Sequence, residues 1–270
     1  LIALYRYYSP FLDNALGYAF SETSRLGDEN GGYLGFDITR WKNWCLSGYG
    51  DVFYFSGYKY GLGDATTTIG YDALVEMQYA WRNNLSSLQG GDGSRLTLRL
   101  RARQKGISTY SARFIFDWQR GGWSLRTTAD ANYVQSYGIS LAQDIAYTLP
   151  FREGMGLGFH VRLQGFDARD WANRIYIYEH DVLYAFSIPA TYGLGGRAYF
   201  CLRWQIIPQL ALYFRLSETI YARDWYISKH PSFQGEELCS IEGPVDVRRT
   251  NIGGRLPTRT DIHLLLRAKL

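Results

Sequence analysis

The chain has 270 residues, of which 46% are hydrophobic and 17% aromatic, and a net charge of +4. That charge is too mild for the basic stripe of a nucleic-acid-binding surface, and no apolar run approaches the roughly 18 residues of a membrane helix. The cysteines Cys45, Cys201 and Cys239 lack a C-x-x-C spacing, which argues against a zinc or thioredoxin-like site.

In a strand, successive side chains face opposite ways, so each face holds one parity of residue number. Residues 1–8 read as a short aromatic strand and 9–31 as a polar loop. Residues 32–41 alternate, with Leu34, Phe36 and Ile38 on one face, and a turn near Lys42-Asn43 leads to a strand over 44–56. Residues 57–68, rich in Gly, Tyr and Thr, read as a long loop. Alternation is clearest over 71–82, 95–104, 108–119 and 122–133, and helical spacing fits none of these runs. Strands at 138–149 and 156–166 follow, then 197–205 and 209–221, a long polar loop over 222–259 and a last strand over 261–270. Cys45 and Cys201 fall on strand patterns and are expected as free thiols.

Between 166 and 197 lies the run Arg174 to Pro189, whose parity changes midway. Its aliphatic positions are odd at Ile175 and Ile177, then even at Val182, Tyr184, Phe186 and Ile188. A parity switch needs a reversal or a bulge. A two-residue reversal at His180-Asp181 places Ile177 opposite Tyr184 on a shared face, and predicts a hairpin of two membrane strands with its end on the periplasmic side. A bulge in one long strand is the alternative. The hairpin brings the count to about fourteen. A single strand brings it to thirteen and moves the loop 222–259 to the short-turn side, whereas bacterial barrels normally have even counts.

Four stretches carry a family resemblance: the run 174–189, Phe20 to Arg25 with Glu29 to Gly35 following, Ser47 to Asp51, and Ile241-Glu242-Gly243. They resemble Bacteroidota outer-membrane proteins usually labelled helix-hairpin-helix domain-containing proteins. The resemblance implies a membrane β-barrel, and a longer precursor with a signal, the DNA-binding module and further strands upstream. The opening Leu-Ile-Ala-Leu, without Met or signal peptide, agrees with such a precursor.

The expectation is therefore an all-β protein: one antiparallel transmembrane β-barrel over residues 1–270, the C-terminal part of a longer precursor, in the outer membrane of a Gram-negative bacterium. Strands of about nine to twelve residues suit a tilted bilayer crossing, and the 23 Tyr and 8 Trp suit interfacial girdles. Trp81, Trp118, Trp123, Tyr133 and Trp204 end apolar faces, loops alternate short then long, and the final Ile262, Leu264, Leu266, Ala268 and Leu270 share one face. Leu98, Phe114, Leu125, Leu212 and Leu264 are expected to face lipid. Asp72, Glu76, Arg99, Arg101, Arg103, Arg113, Asp117, Arg126, Asp130, Arg162, Arg215 and Arg267 are expected to face the lumen.

No constellation carries chemistry convincingly. His160 and Ser140 could belong to a phospholipase-type triad, but no G-x-S-x-G element is present, and His160 beside Arg162 reads as a lumen side chain. His180, His230 and His263 are isolated, so no metal, cofactor or catalytic residue is expected. Arg99, Arg101 and Arg103 could form an anion-selective wall; otherwise they pair with Glu76, Asp72 and Asp117. The loops 9–31, 57–68 and 222–259 are the candidate binding surface. In the last, Glu236, Glu237, Glu242 and Asp246 oppose Arg248, Arg249 and Arg255. Two functions follow: a scaffold or conduit within a larger envelope complex, or a stand-alone porin or uptake channel. Uptake would extend to DNA if the missing module is helix-hairpin-helix, which grips phosphates without reading bases. An outer-membrane hydrolase ranks behind both. The expected partners are outer-membrane lipid, other envelope proteins or missing strands of the precursor, and nucleic acid only through the absent module.

Overall fold

The structure, a computed structural model, describes residues 1–12, 20–22, 27–57, 69–81, 92–152, 154–229 and 258–268. Nine strands come first: β1 (Ile2–Tyr8), β2 (Glu29–Ile38), β3 (Trp44–Tyr54), β4 (Ile69–Trp81), β5 (Gly93–Lys105), β6 (Ile107–Arg120), β7 (Trp123–Val134), β8 (Ser136–Arg152) and β9 (Met155–Ala168). Two short pieces follow, β10 (Ile175–Tyr176) and β11 (Ala190–Thr191), then β12 (Gly193–Ile207), β13 (Leu210–Tyr221) and β14 (Thr258–Ala268). All but β10 and β11 join one 12-stranded antiparallel sheet in which β9 pairs directly with β12. Each expected strand outside 174–189 is present, within a few residues at either end. The long polar loop read over 222–259 instead begins with a seven-residue helix, α1 (Arg223–Lys229), which carries Asp224 in its first turn.

The sheet is open, with β1 and β14 as its two edges. One end carries the connections 39–43, 82–92, 121–122, 153–154 and 208–209, and the other carries 9–28, 55–68, 106, 135, 169–192 and 222–257. The expected alternation of short and long loops fails in the middle of the chain. There β5–β6 and β7–β8 turn through the single residues Gly106 and Gln135 at the end that holds most long connections, and the eleven residues 82–92 separate β4 from β5 at the other. Gly121 and Gly122, with φ of 56° and 88°, make the two-residue hairpin loop between β6 and β7. That geometry needs positive φ at both central positions, which glycine adopts without strain.

The two faces of the sheet are inverted relative to an ordinary soluble protein. Buried polar or charged side chains number 17 among the described residues, against 12 buried hydrophobic ones, so the enclosed face is the polar one. Leu100, Leu141, Leu163, Ile262, Leu264 and Leu266 lie exposed on the opposite face. Small inward residues make room for large ones. Gly31 lies under the Arg6 guanidinium, and a Cβ on Gly70 would come within 2.2 Å of the Phe53 ring.

The expected membrane hairpin at 180–181 does not form. The pairs are Ile175 with Thr191, Tyr176 with Ala190 and a bridge from Glu179 to Ser187, so Ile177 does not oppose Tyr184. The chain reverses at 182–185, where the Ala185 N–H donates to the Val182 carbonyl at 3.1 Å and Tyr184 takes a left-handed φ of 70°. The hairpin leaves the sheet at the long-connection end, not at the short-turn end, and neither leg is a wall strand. Twelve and fourteen are both even, so strand parity could not separate two extra strands from none.

Candidate functional site

The segment 169–192 folds back and crosses the polar face of the sheet. Wall side chains grip its backbone at successive carbonyls. Asn132 Nδ2 donates to the Asn173 oxygen at 2.9 Å, Arg113 Nη2 to Tyr176 at 2.8 Å and Arg162 Nη1 to Tyr178 at 2.8 Å. The Cys201 thiol donates to the His180 oxygen at 3.1 Å. The parity that suggested a strand here has another use: Ile175 and Ile177 are buried against Ala142 and Ala168, alanines on the inward face of β8 and at the end of β9.

Two carboxylates near the tip pin the segment to the last three strands. Glu179, 0% exposed, accepts from Arg197 Nε at 2.7 Å, from Arg197 Nη2 at 3.0 Å and from Arg215 Nη2. Arg197 also donates to the Thr219 and Ser217 hydroxyls. Asp181 meets Arg215 Nη1 at 3.4 Å and His263 Nδ1 at 2.7 Å. Charges this deeply buried persist only when paired, because desolvation costs several kcal/mol per ion. Tyr199, 2% exposed, lies between the guanidinium carbons of Arg162 and Arg215, at 5.3 and 5.6 Å from its ring centre. Its hydroxyl accepts from the His180 N–H at 3.3 Å and contacts Asp144 at 3.2 Å and His160 Nδ1 at 3.0 Å. Burial lowers the proton affinity of the His180 imidazole; Arg162 and Arg126 act in the same direction and Asp144 against it.

The arginines expected to line a lumen share this polar face, and most have carboxylate partners. Arg99 pairs with Glu76, Arg101 with Asp72, Arg113 with Asp130, Arg126 with Asp117 and Arg162 with Asp144. Arg103 reaches Glu22 at 3.6 Å and Asp72 at 3.7 Å. The run 99, 101, 103 is thus neutralised from β4 and from the 9–28 connection, while Asp117 serves Arg126 instead. Arg215 belongs to the Glu179 cluster, and Arg267 stands at the end with the short turns. Leu98, Phe114, Leu125, Leu212 and Leu264 share the opposite, apolar face, where Leu264 is 70% exposed.

A second buried cluster lies near the edge strand β1. Arg6 donates to both oxygens of Asp51, at 2.8 and 3.0 Å, and through Nε to Glu29, and its guanidinium sits 5.1 Å from the Phe20 ring centre. Ser21 and the Glu22 N–H donate to the same Glu29 carboxylate. Residues that carried the family resemblance from separate stretches, Phe20, Ser21, Glu22, Glu29 and Asp51, therefore meet around one arginine.

Ser140 and His160 do not meet. Ser140 pairs across the ladder with Phe166 and His160 with Ala146, six residues apart along β8, or about 20 Å. Ser140 instead accepts from Gln164 Nε2 at 2.9 Å. Cys45 and Cys201 are free thiols. Among the described residues, no three His, Cys, Asp or Glu side chains converge as a metal site. Cys239, His230, Ile241 to Gly243 and the charged residues of the last loop lie outside the described residues, as do Thr23 to Arg25 and residues 58–68.

The apolar face carries an ordered pair of aromatic belts. Trp44, Trp81, Trp118, Trp123 and Trp204 lie toward the end with the short turns, and Tyr54, Tyr71, Tyr110, Tyr133 and Tyr137 toward the other. Neighbours touch around each belt: Trp123 with Tyr147 at 4.5 Å between ring centres on one, and Tyr133 with Tyr137 at 4.8 Å on the other. The sequence placed aromatics at strand ends but did not separate Trp from Tyr by end. Strand direction shows these five Trp gathered toward one end, where Tyr79 and Tyr147 join them. Sequence reasoning also missed Arg6, Glu179, Asp181 and Arg197. The available signal was a pair of acids, Glu179 and Asp181, inside a run otherwise rich in apolar residues. Compared with family models, with curated proteins and with solved structures, the chain matches none.

Proposed function

We propose that this chain forms the wall of an outer-membrane β-barrel in a Gram-negative bacterium and serves as a scaffold or conduit within a larger envelope complex, not as an open pore. The observation that carries the choice is the inserted hairpin, which lies across the polar face and is tied there by Glu179 and Asp181. Support for the membrane comes from the exposed apolar face and its belts. Trp44 and Tyr54, Trp123 and Tyr133, and Tyr137 and Tyr147 are each ten residues apart on one strand. At about 3.4 Å per residue and a tilt of about 40°, that spacing spans about 26 Å, close to the apolar band of an outer-membrane barrel.

In lipid, the edges of β1 and β14 must find partners, because unpaired N–H and C=O groups there cost several kcal/mol each. Further strands of the same precursor or another envelope protein supply that closure in this reading. The test is planar-bilayer recording on the 270-residue chain. The expected result is no stable large conductance from a monomer. A steady, large monomer conductance would refute the reading and favour a stand-alone porin or uptake channel.

A further inference from the structure

At the end with the short turns, the inward surface between β8 and β14 has a different character from the rest of the polar face. Nine other arginines on that face each lie within 4.0 Å of a carboxylate. Arg203 on β12 and Arg267 on β14 have no carboxylate partner among the described residues. Arg203 has only the ring of Tyr213, 5.9 Å from its guanidinium carbon. The adjoining parts of the five strands, residues 145–150, 155–160, 201–207, 210–214 and 264–268, contain no Asp or Glu. Both arginines line one cavity of about 520 Å³. Its other lining residues include Thr148, Gly158, Pro208 and Ala211.

Gly158 is informative because nothing forces it to be glycine. A Cβ there would meet only ordinary contacts, Thr148 Oγ1 and the Tyr147 oxygen at 3.8 Å. Its absent side chain leaves the cavity open without serving a turn or a close approach. By register, Arg203 and Arg267 lie on strands separated by β13 and two residues out of step, Arg203 facing Tyr213 and Arg267 facing Ala211. Their backbones are about 12 Å apart, so two long side chains can converge on one anion from different directions. A planar carboxylate is satisfied by one guanidinium fork, whereas a tetrahedral phosphoryl group offers oxygens to both.

We propose that this cavity binds a phosphate dianion, held between Arg203 and Arg267. The source is either free phosphate or the headgroup of a lipid with a terminal phosphate, and the chemistry recognised is the same.

The test titrates the 270-residue chain in zwitterionic detergent by calorimetry at fixed ionic strength. It is run at about pH 8, where the second phosphate proton is off. Inorganic phosphate is one probe and a short-chain phosphatidic acid the other. The expected result is saturable binding of at least one probe. Preference for inorganic phosphate would identify the free anion, and preference for phosphatidic acid the headgroup. Arg203→Ala and Arg267→Ala should each weaken binding about tenfold or more. Gly158→Leu should abolish it by filling the cavity while leaving both charges, so the outcome does not hang on an arginine variant that fails to fold. Arg99→Ala, on another strand and already paired with Glu76, should bind as the parent does. Glu153 lies outside the described residues, and Glu153→Gln should also bind as the parent does. The proposal is overturned by absence of saturable binding for both probes, by binding that survives in Gly158→Leu, by equal loss in Arg99→Ala, or by a tenfold gain in Glu153→Gln.

Discussion

Replacing Glu179 by Ala should release the inserted hairpin while leaving the wall in place. The substitution removes three charge-assisted bonds, two from Arg197 and one from Arg215, whose side chains are 7% and 3% exposed. Breaking a buried pair by deleting one partner costs about 3–5 kcal/mol, because the other charge stays behind unpaired. Both arginines retain some compensation here. Arg197 keeps the Thr219 and Ser217 hydroxyls, with Asp261 at 4.0 Å, and Arg215 keeps Asp181. The loss therefore falls at the lower end, about 3 kcal/mol, which is a factor of about a hundred in the opening equilibrium. Hydrogen exchange read by mass spectrometry on peptides covering 173–188 measures that factor, with peptides from β7 and β8 as the internal reference. Exchange in 173–188 should accelerate about a hundredfold, and the reference peptides should not change. Equal rates in parent and variant, with the reference intact, would show that Ile175, Ile177 and the backbone contacts hold the segment without the carboxylate.

Further outcomes test other parts of the account. Leu264→Arg should destabilise the chain in lipid by about 2–4 kcal/mol in a denaturant titration, whereas His263→Arg, one residue away on the polar face, should cost far less; equal costs would invert the assignment of faces. Gly70→Ala places a Cβ 2.2 Å from the Phe53 ring and 2.7 Å from the Gln104 oxygen, so overpacking should cost about 1–3 kcal/mol, and Phe53→Leu in the same chain should recover part of it. His180 holds its proton less readily than the ordinary value of 6.5, mainly through burial. A depressed folded-state value means the folded segment binds fewer protons than the free one, so its stability is fully present above about pH 6.5 and falls as the pH drops below. The protection factor of 173–188, which removes the intrinsic pH dependence of amide exchange, should therefore fall on acidification, measured in a His160→Asn, His263→Asn background because those two imidazoles also lie at the tip; a pH-independent protection factor would remove His180 from the account.

The alternation over 71–134 determined four strands and their two faces from the sequence alone, because the period of two is a property of the strand itself and needs no partner. It likewise placed Leu98 and Arg99, or Leu264 and His263, on opposite sides, and the pairing of Arg99 and Arg101 with Glu76 and Asp72 follows once two such strands lie in register. What the sequence could not decide was the fate of 174–189. Ile175 and Ile177 alternate as they would in a wall strand, yet they pack on Ala168 and on Ala142, which is more than thirty residues away along the chain. Parity reports that one side of a segment is apolar, not whether lipid or the inner wall covers it. The same holds for Glu179, whose partners Arg197 and Arg215 stand on two different strands, and for Arg6, joined to Glu29 and Asp51 across three. Only the folded sheet brings those charges together, because parity gives the face of each strand, whereas which strands neighbour one another and in what register depends also on the connections between them.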